Sequence, residues 1–186
     1  KVKGIIIVLL NCLACEMDPI LNFVKKNNLF LIEDCSQAHG AVYKGKKVGS
    51  FGDISTWSFC QDKIISTGGE GGMISTNNKL LFLKLWSLKE HGKNFINCFK
   101  KKNPIGFRWL HDYDGSNYRM TEMQAVIGRE QLKLLDKQIK KRNFIASIYL
   151  NELKDYYEKY EIIKQPDFRC KSCPIKTKKQ NCIKCR

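Results

Sequence analysis

The segment SFCQDKIISTGGEGG, residues 58–72, places one lysine between a short apolar segment and a glycine-rich turn. The apolar segment is Ile54–Phe59, and it predicts a buried strand. Lys63 therefore follows a strand end, with the hydroxyl of Ser58 five residues before it. A lysine amine in this setting can form an imine with an aldehyde, while the hydroxyl and the glycine-rich backbone can bind a phosphate. A lone lysine near a turn is more often a solvated side chain, so this interpretation depends on a second motif.

That second motif is IEDCSQAHGA, residues 32–41, which overlaps the end of the apolar run LFLI at residues 29–32. The run predicts a strand with Asp34 at its carboxyl end, where open α/β sheets bind their ligands. A carboxylate there can pair with the protonated ring nitrogen of a pyridine cofactor. Asp34 can also serve as the N-cap of a following helix, and the two roles are compatible. Asp34 and Lys63 together predict a pyridoxal phosphate site.

Four motifs occur in a fixed order: DCSQAHGA at residues 34–41, GSFGD at 49–53, SFCQDK with TGGEGG within 58–72, and GSNYRMTEMQAVIG at 115–128. With this spacing they resemble the DegT/StrS family of pyridoxal-phosphate-dependent sugar aminotransferases. The resemblance covers roughly residues 4–150. It implies an α/β fold, a three-layer α/β/α sandwich, of which this chain contains part of the large, transferase-like domain.

The resemblance assigns a role to each of five residues. Lys63 would form the imine with the cofactor, and Asp34 would hold its pyridine nitrogen. Gln37 would contact the phenolic oxygen of the ring, and Ser58 the phosphate. Asn117 would reach the phosphate in the neighbouring subunit, so that a homodimer shares its active sites. Related dehydratases carry histidine at the lysine position, so Lys63 favours transamination.

The same resemblance implies the substrates. The acceptor would be a nucleotide-linked keto sugar, and the donor an amino acid, with glutamate expected. The reaction would belong to polysaccharide or O-antigen sugar biosynthesis in the cytoplasm. No apolar stretch of the sequence has the length needed to span a bilayer, so no membrane partner is expected. The basic, apolar start at residues 1–10 imitates a signal peptide, but we interpret it as an interior strand.

Apolar residues make up 43% of the 186 residues, which indicates a globular chain. We divide it into residues 1–150, part of the cofactor-binding large domain, and residues 151–186, a divergent basic tail that contains cysteines. Hydrophobic patterning predicts alternating strands and helices. The expected strands are Ile5–Leu10, Leu29–Glu33, Ile54–Phe59 and Gly72–Thr76; the expected helices are Asp18–Asn27, one capped by Asn77 and Asn78 and ending near His91, and a long one opened by Thr121.

Family members begin with a phosphate-binding loop and end with a smaller domain, and neither has a match here. We therefore expect an internal piece of a family member that is not a competent enzyme by itself. An inactive remnant is the alternative. The stretch Asn11–Cys15 also departs from relatives, which usually have a glycine and a proline there. His39 lies inside a matched motif, either near the cofactor or in a structural hydrogen bond.

The C-terminal tail contains two CxxC pairs, Cys170 with Cys173 and Cys182 with Cys185. Four thiolates suit tetrahedral zinc, but the spacing is short and the family has no such module, so incidental cysteines from a frameshift are the competing interpretation. The net charge of +15 could indicate a nucleic-acid partner. We favour a solvated basic surface, because aromatic residues do not alternate with the lysines. A small zinc-binding or nucleic-acid-binding protein remains the alternative function.

Overall fold

The computed structural model describes residues 2–99 and 111–159. The two CxxC pairs lie outside these ranges, so the choice between zinc ligands and incidental cysteines stays open. Among the described residues, no group of three or more His, Cys, Asp or Glu side chains is arranged to hold a metal ion. None of the helices in these ranges is both long enough and apolar enough to cross a membrane.

The described elements begin as strand, helix and strand, as the hydrophobic pattern predicts, and continue with four more strands and then four helices. In chain order they are β1 (Gly4–Val8), α1 (Met17–Lys26), β2 (Phe30–Asp34), β3 (Val42–Tyr43), β4 (Lys46–Lys47), β5 (Ile54–Ser58), β6 (Gly72–Ser75), α2 (Lys79–Lys89), α3 (Phe95–Phe99), α4 (Glu122–Glu152) and α5 (Lys154–Lys159). The predicted strands and helices are all present. The short hairpin of β3 and β4 and the short helices α3 and α5 were not predicted.

The main sheet has the strand order β1-β2-β5-β6. Strands β1, β2 and β5 are parallel, and β6 is antiparallel to β5. The β1-α1-β2 segment is therefore a βαβ unit, as predicted, and the α/β class is confirmed. Because parallel strands end at the same edge, the residues that follow β2 and β5 meet at one edge of the sheet.

The two faces of this sheet differ in composition and burial. Leu31 and Glu33 on β2 point to one face, where Ile7 of β1 and Met17 of α1 also lie in the core. Asp34 pairs in register with Val8 and Thr56 in the next row, so these side chains point to the opposite face. Val8 is 49% exposed on that face. The buried core therefore lies on one side of the sheet, and Asp34 faces the other side.

Glu33 is a fully buried carboxylate within this core. Its two oxygens accept hydrogen bonds from the backbone amides of Gly49 (2.7 Å), Phe51 (2.7 Å) and Gly52 (2.6 Å). Gly49 has φ +81°, and a Cβ there would overlap the ring of Trp57, so only glycine fits. The GSFGD motif thus forms a tight loop held by a carboxylate, a structural role that sequence analysis did not assign.

Two helix starts are fixed by side-chain caps, as predicted. The Asn78 carboxamide oxygen accepts from the amides of Leu80 and Leu81 at the start of α2. Thr121 and Gln124 form a reciprocal capping box at the start of α4. The side-chain Nε2 of Gln124 also donates to the backbone oxygen of Glu70 at 2.8 Å. This bond attaches the start of α4 to the glycine-rich loop that follows Lys63.

Helix α4 presents much of its apolar surface to solvent. Met123 is 77% exposed, Leu132 59% and Ile127 42%. The described part of the chain does not bury these apolar side chains.

Candidate functional site

Lys63 lies in a closed loop at the end of β5. The loop begins and ends with backbone hydrogen bonds, from Phe59 to Gly71 at 2.8 Å and from Thr67 to Phe59 at 3.3 Å. Inside it, the Lys63 amide donates to the Cys60 oxygen at 3.0 Å. The Lys63 side chain is 20% exposed. The amine is therefore held at the sheet edge in a partly desolvated position that a ligand can still reach.

The nearest charged partner of Lys63 is its neighbour Asp62. The Lys63 Nζ lies 3.4 Å from Asp62 Oδ2, and the Asp62 side chain is 68% exposed. Hydrogen bonds from the Cys60 thiol and then from Lys63 lower the pKa of Asp62. An exposed pair of this kind is weak, so a ligand can replace Asp62 at little energetic cost.

Asp34 ends strand β2 and shares a face with two hydroxyl-bearing residues of β5. Its Oδ1 accepts from the Ser36 amide at 3.1 Å and lies 3.5 Å from the Thr56 hydroxyl. Ser58 follows Thr56 by two residues on the same strand and therefore points to the same face. The Asp34–Ser36 bond closes a turn and not a helix, so the predicted helix N-cap role is wrong. Of the hydrogen bonds between described residues, none uses Asp34 Oδ2.

Gln37 contacts the turn that follows β1. Its Oε1 accepts from the Asn11 amide at 3.4 Å, and its backbone oxygen accepts from Cys12 at 2.8 Å. Asn11 and Cys12 have φ values of 52° and 60°, in the left-handed region that favours glycine. This is the stretch where the resemblance led us to expect a glycine. The turn therefore adopts this left-handed conformation without a glycine, and its backbone amides hold Gln37 in position.

Asn117 follows the end of α2 in space and contacts that end through its backbone. It forms an isolated antiparallel bridge with Glu90 at the end of α2, and its side chain is exposed. Its Oδ1 accepts from Arg119 through the backbone amide (3.3 Å) and through Nε (3.0 Å). Within residues 2–99 and 111–159, no hydrogen bond or ion pair joins Asn117 to Lys63 or Asp34. The structure therefore brings Asp34 of β2 beside Thr56 of β5, and it joins Asn117 to the end of α2.

His39 is buried below the end of β5, with 3% of its surface exposed. Its ring lies 5.5 Å from that of Trp57 and 6.0 Å from that of Phe59. Among the described residues, neither ring nitrogen has a hydrogen-bond partner of normal geometry. Burial lowers the pKa of His39; the Ser58 backbone opposes this shift and the charge of Lys63 adds to it. His39 is therefore a neutral ring beside the lysine loop.

Because the pKa of His39 is lowered on folding, the unfolded chain binds a proton more readily than the folded chain. The contribution of neutral His39 to stability is fully present above about pH 6.5 and is lost as pH falls through the folded-state pKa. We expect His39→Phe to lose less thermal stability than the wild type between pH 7.5 and 5. Thermal unfolding at several pH values measures this difference. An unchanged acid-side loss in the variant would contradict it.

An α/β sheet with a lysine loop at the carboxyl edge of its parallel strands is typical of transferase-like α/β domains. The sequence matches the DegT/DnrJ/EryC1/StrS aminotransferase family over residues 1–184. The chain belongs to this family.

Individual relatives agree with this assignment. GDP-perosamine synthase from Escherichia coli O157:H7 is 44% identical over 149 residues, which are 80% of this chain and 38% of that protein. The structure of an aminotransferase from Psychrobacter cryohalolentis superimposes with a TM-score of 0.81 at 50% identity, covering 84% of this chain and 40% of the other. The E. coli GDP-4-keto-6-deoxy-D-mannose-3-dehydratase, solved with bound hydrated PLP, has a TM-score of 0.74 at 30% identity and covers 83% and 41%. This chain thus spans about two fifths of each relative.

Proposed function

We propose that residues 1–150 form part of the large domain of a pyridoxal-phosphate-dependent aminotransferase that acts on a nucleotide-linked keto sugar. The observation that carries this proposal is the loop that holds Lys63, partly buried, at the sheet edge where Asp34 and Ser58 share a face. The similarity to GDP-perosamine synthase supports the nucleotide-sugar acceptor. The PLP-containing structural neighbour supports the cofactor.

The residues at the sheet edge fit pyridoxal phosphate chemically. Among the described residues, Asp34 Oδ2 accepts no hydrogen bond, so it is available to a ligand. Ser58 provides a hydroxyl, and Lys63 provides an amine. Gln37 adds a carboxamide beside them. When bound, the cofactor supplies an aldehyde that accepts the amino group and a ring that accepts electrons. The donor set matches an aldehyde, a pyridine nitrogen, a phenolic oxygen and a phosphate.

In this proposal, each residue of the chain has the role that the family resemblance gives it. Lys63 Nζ would hold the cofactor at its aldehyde carbon, and as a free amine it would act as the general base that moves the proton. The Asp34 carboxylate would hold a proton on the pyridine nitrogen, since the opposite charge favours the protonated form. Ser58 orients the phosphate, and Gln37 orients the phenolic oxygen. Together they fix the plane in which the proton moves.

Lysine at position 63 favours amino transfer over dehydration. By resemblance, the related dehydratases carry histidine at this position. An imidazole ring, unlike the amine of lysine, cannot form an imine with the cofactor aldehyde. Glutamate is the proposed donor, and cytoplasmic polysaccharide or O-antigen sugar biosynthesis is the proposed setting. Product analysis with a nucleotide-linked keto sugar distinguishes an amino sugar from a deoxy sugar. An inactive remnant of the family would give neither product.

We further propose a homodimer in which Asn117 of one subunit serves the site of the other. Asn117 is exposed and shares no hydrogen bond with the residues at the sheet edge in the described part of the chain. Its neighbour Tyr118 is 73% exposed and the nearby Met123 is 77% exposed. Large apolar side chains around an exposed polar group are typical of interface surfaces.

Mixing two inactive variants tests this shared site. A heterodimer of Lys63→Ala and Asn117→Ala subunits has one doubly damaged site and one site with both residues intact. We expect mixed full-length subunits, assayed at limiting cofactor, to recover about half the wild-type activity per heterodimer, because one of its two sites has both residues intact. Each variant alone is the control. Absence of recovery, with heterodimers verified, would place Asn117 in the site of its own chain.

Replacing Asp34 with Asn tests the pairing with the cofactor ring. Asn keeps an oxygen that can accept from Ser36 and Thr56, so the local turn is preserved. The change removes the negative charge that holds the pyridine proton. We expect turnover of the full-length enzyme to fall roughly 10²-fold, while the visible absorbance of the cofactor bound to Lys63 survives. Weakened cofactor binding, combined with unchanged turnover of the protein that still holds the cofactor, would show a purely structural role.

A further inference from the structure

The segment that carries Asn117 is fixed to the end of α2 by backbone hydrogen bonds. The Ser116 amide donates to Leu88 at 2.9 Å, and the Tyr118 amide to Lys89 at 3.2 Å. The His91 amide donates back to Ser116 at 3.1 Å. Three bonds over so short a segment hold its backbone in one position. Any freedom left to Asn117 is therefore freedom of its side chain.

Two glycines make this attachment close. Gly92 has φ +79°, and a Cβ there would overlap the backbone of Tyr113. A Cβ on Gly115 would overlap the backbone of Gly92. The two backbones therefore meet without side chains between them, which leaves the segment no room to move inward.

Arg119 fixes the orientation of the Asn117 carboxamide. The amide and Nε of Arg119 both donate to Asn117 Oδ1, at 3.3 and 3.0 Å. A guanidinium group has donors only, so the carboxamide oxygen has to face it. The Asn117 Nδ2 then points away from Arg119. The side chain presents two N–H donors outward, the arrangement that an anion requires.

Glu90 in turn holds the guanidinium. Its Oε2 lies 3.6 Å from Arg119 Nε, and its Oε1 pairs with Lys89. The Glu90 side chain is 13% exposed, against 50% for Arg119. An ion pair that is half exposed on one side adds little to stability. Its effect is to restrict the Arg119 rotamer.

We propose that Arg119 is a positioning residue that, held by Glu90, turns the Asn117 carboxamide so that its N–H donors bind a phosphate monoester. This inference rests on the proposed function, in which that phosphate belongs to the cofactor in the partner subunit. Without Arg119 the carboxamide can rotate and direct its oxygen at the anion, which repels it.

The test compares pyridoxal phosphate with pyridoxal, which lacks the phosphate, in titrations of the full-length chain followed by absorbance. We expect Arg119→Gln to weaken pyridoxal phosphate binding roughly tenfold and to leave pyridoxal binding unchanged, since only the phosphate contact is affected. In an Asn117→Ala background, Arg119→Gln should add nothing, because its effect passes through Asn117. The same tenfold loss in that background would overturn the positioning role.

Three further variants separate the positioning effect from other causes of weaker binding. Glu90→Gln should produce a smaller loss of the same kind, and Arg119→Lys should recover only part of the affinity, because lysine keeps the charge but not the guanidinium geometry. Arg129→Gln, at an exposed arginine of α4, is the matched control and should bind like the wild type. Equal weakening of pyridoxal binding would indicate damage to the fold and reject the inference. If the wild type bound neither compound, the proposed function itself would fail.

Discussion

Lys63→Ala is expected to abolish amino transfer by the full-length enzyme, with a loss of roughly 10⁴-fold or more. The amine of Lys63, partly buried in the closed loop at the end of β5, is the nucleophile of the proposed function. Removing it takes away both the covalent attachment of the cofactor and the general base that moves the proton.

The measurement combines turnover with visible absorbance. Wild-type protein mixed with the cofactor should absorb visible light and lose that band on borohydride reduction, whereas Lys63→Ala should show only free cofactor. Lys63→Arg keeps a positive charge without a nucleophilic amine and should be equally inactive. Lys26→Ala, at the exposed end of α1, is the matched control. Near-normal turnover in Lys63→Ala would refute the assignment.

The sequence was sufficient to predict the strands and the residues that end them. Parallel strands are buried along most of their length, so they appear as apolar runs, and the polar residue after each run marks the sheet edge. Asp34 and Lys63 were found in this way. Thr56 was missed, although its spacing of two from Ser58 places both hydroxyls on one face of β5. That spacing was the available signal.

Contacts between distant segments were not predictable. The hairpin of β3 and β4 turns through Lys44 and Gly45, with φ values of 46° and 83°. A turn of this kind usually signals itself by Asn-Gly or Asp-Gly, and lysine gives no such signal. The Arg119 contact with Asn117 is local, but its meaning depends on Glu90, which is brought close only by the folded chain. The role of such residues can be recognised only from the folded structure.

Glu33 is the clearest case, and its replacement has the second large expected effect. A charged residue in a strand usually points to solvent, yet Glu33 shares a face with buried Leu31. The carboxylate is stable there because its oxygens accept three backbone N–H groups of the loop at residues 49–52. The loop lies too far along the chain for local patterning to reveal this. In Glu33→Gln, the new NH2 group must face at least one of those N–H groups.

We therefore expect Glu33→Gln to lower the free energy of unfolding by about 3 kcal/mol, since one buried donor loses its acceptor and meets another donor. For a domain of this size, that corresponds to a fall in Tm of roughly 6–12 °C. Glu130→Gln, which removes an exposed ion pair with Lys133, is the matched control and should shift Tm very little. Equal shifts in both variants would contradict the loop-holding role. Cofactor affinity of the folded Glu33→Gln protein should stay close to wild type, because Glu33 and Asp34 point to opposite faces of β2.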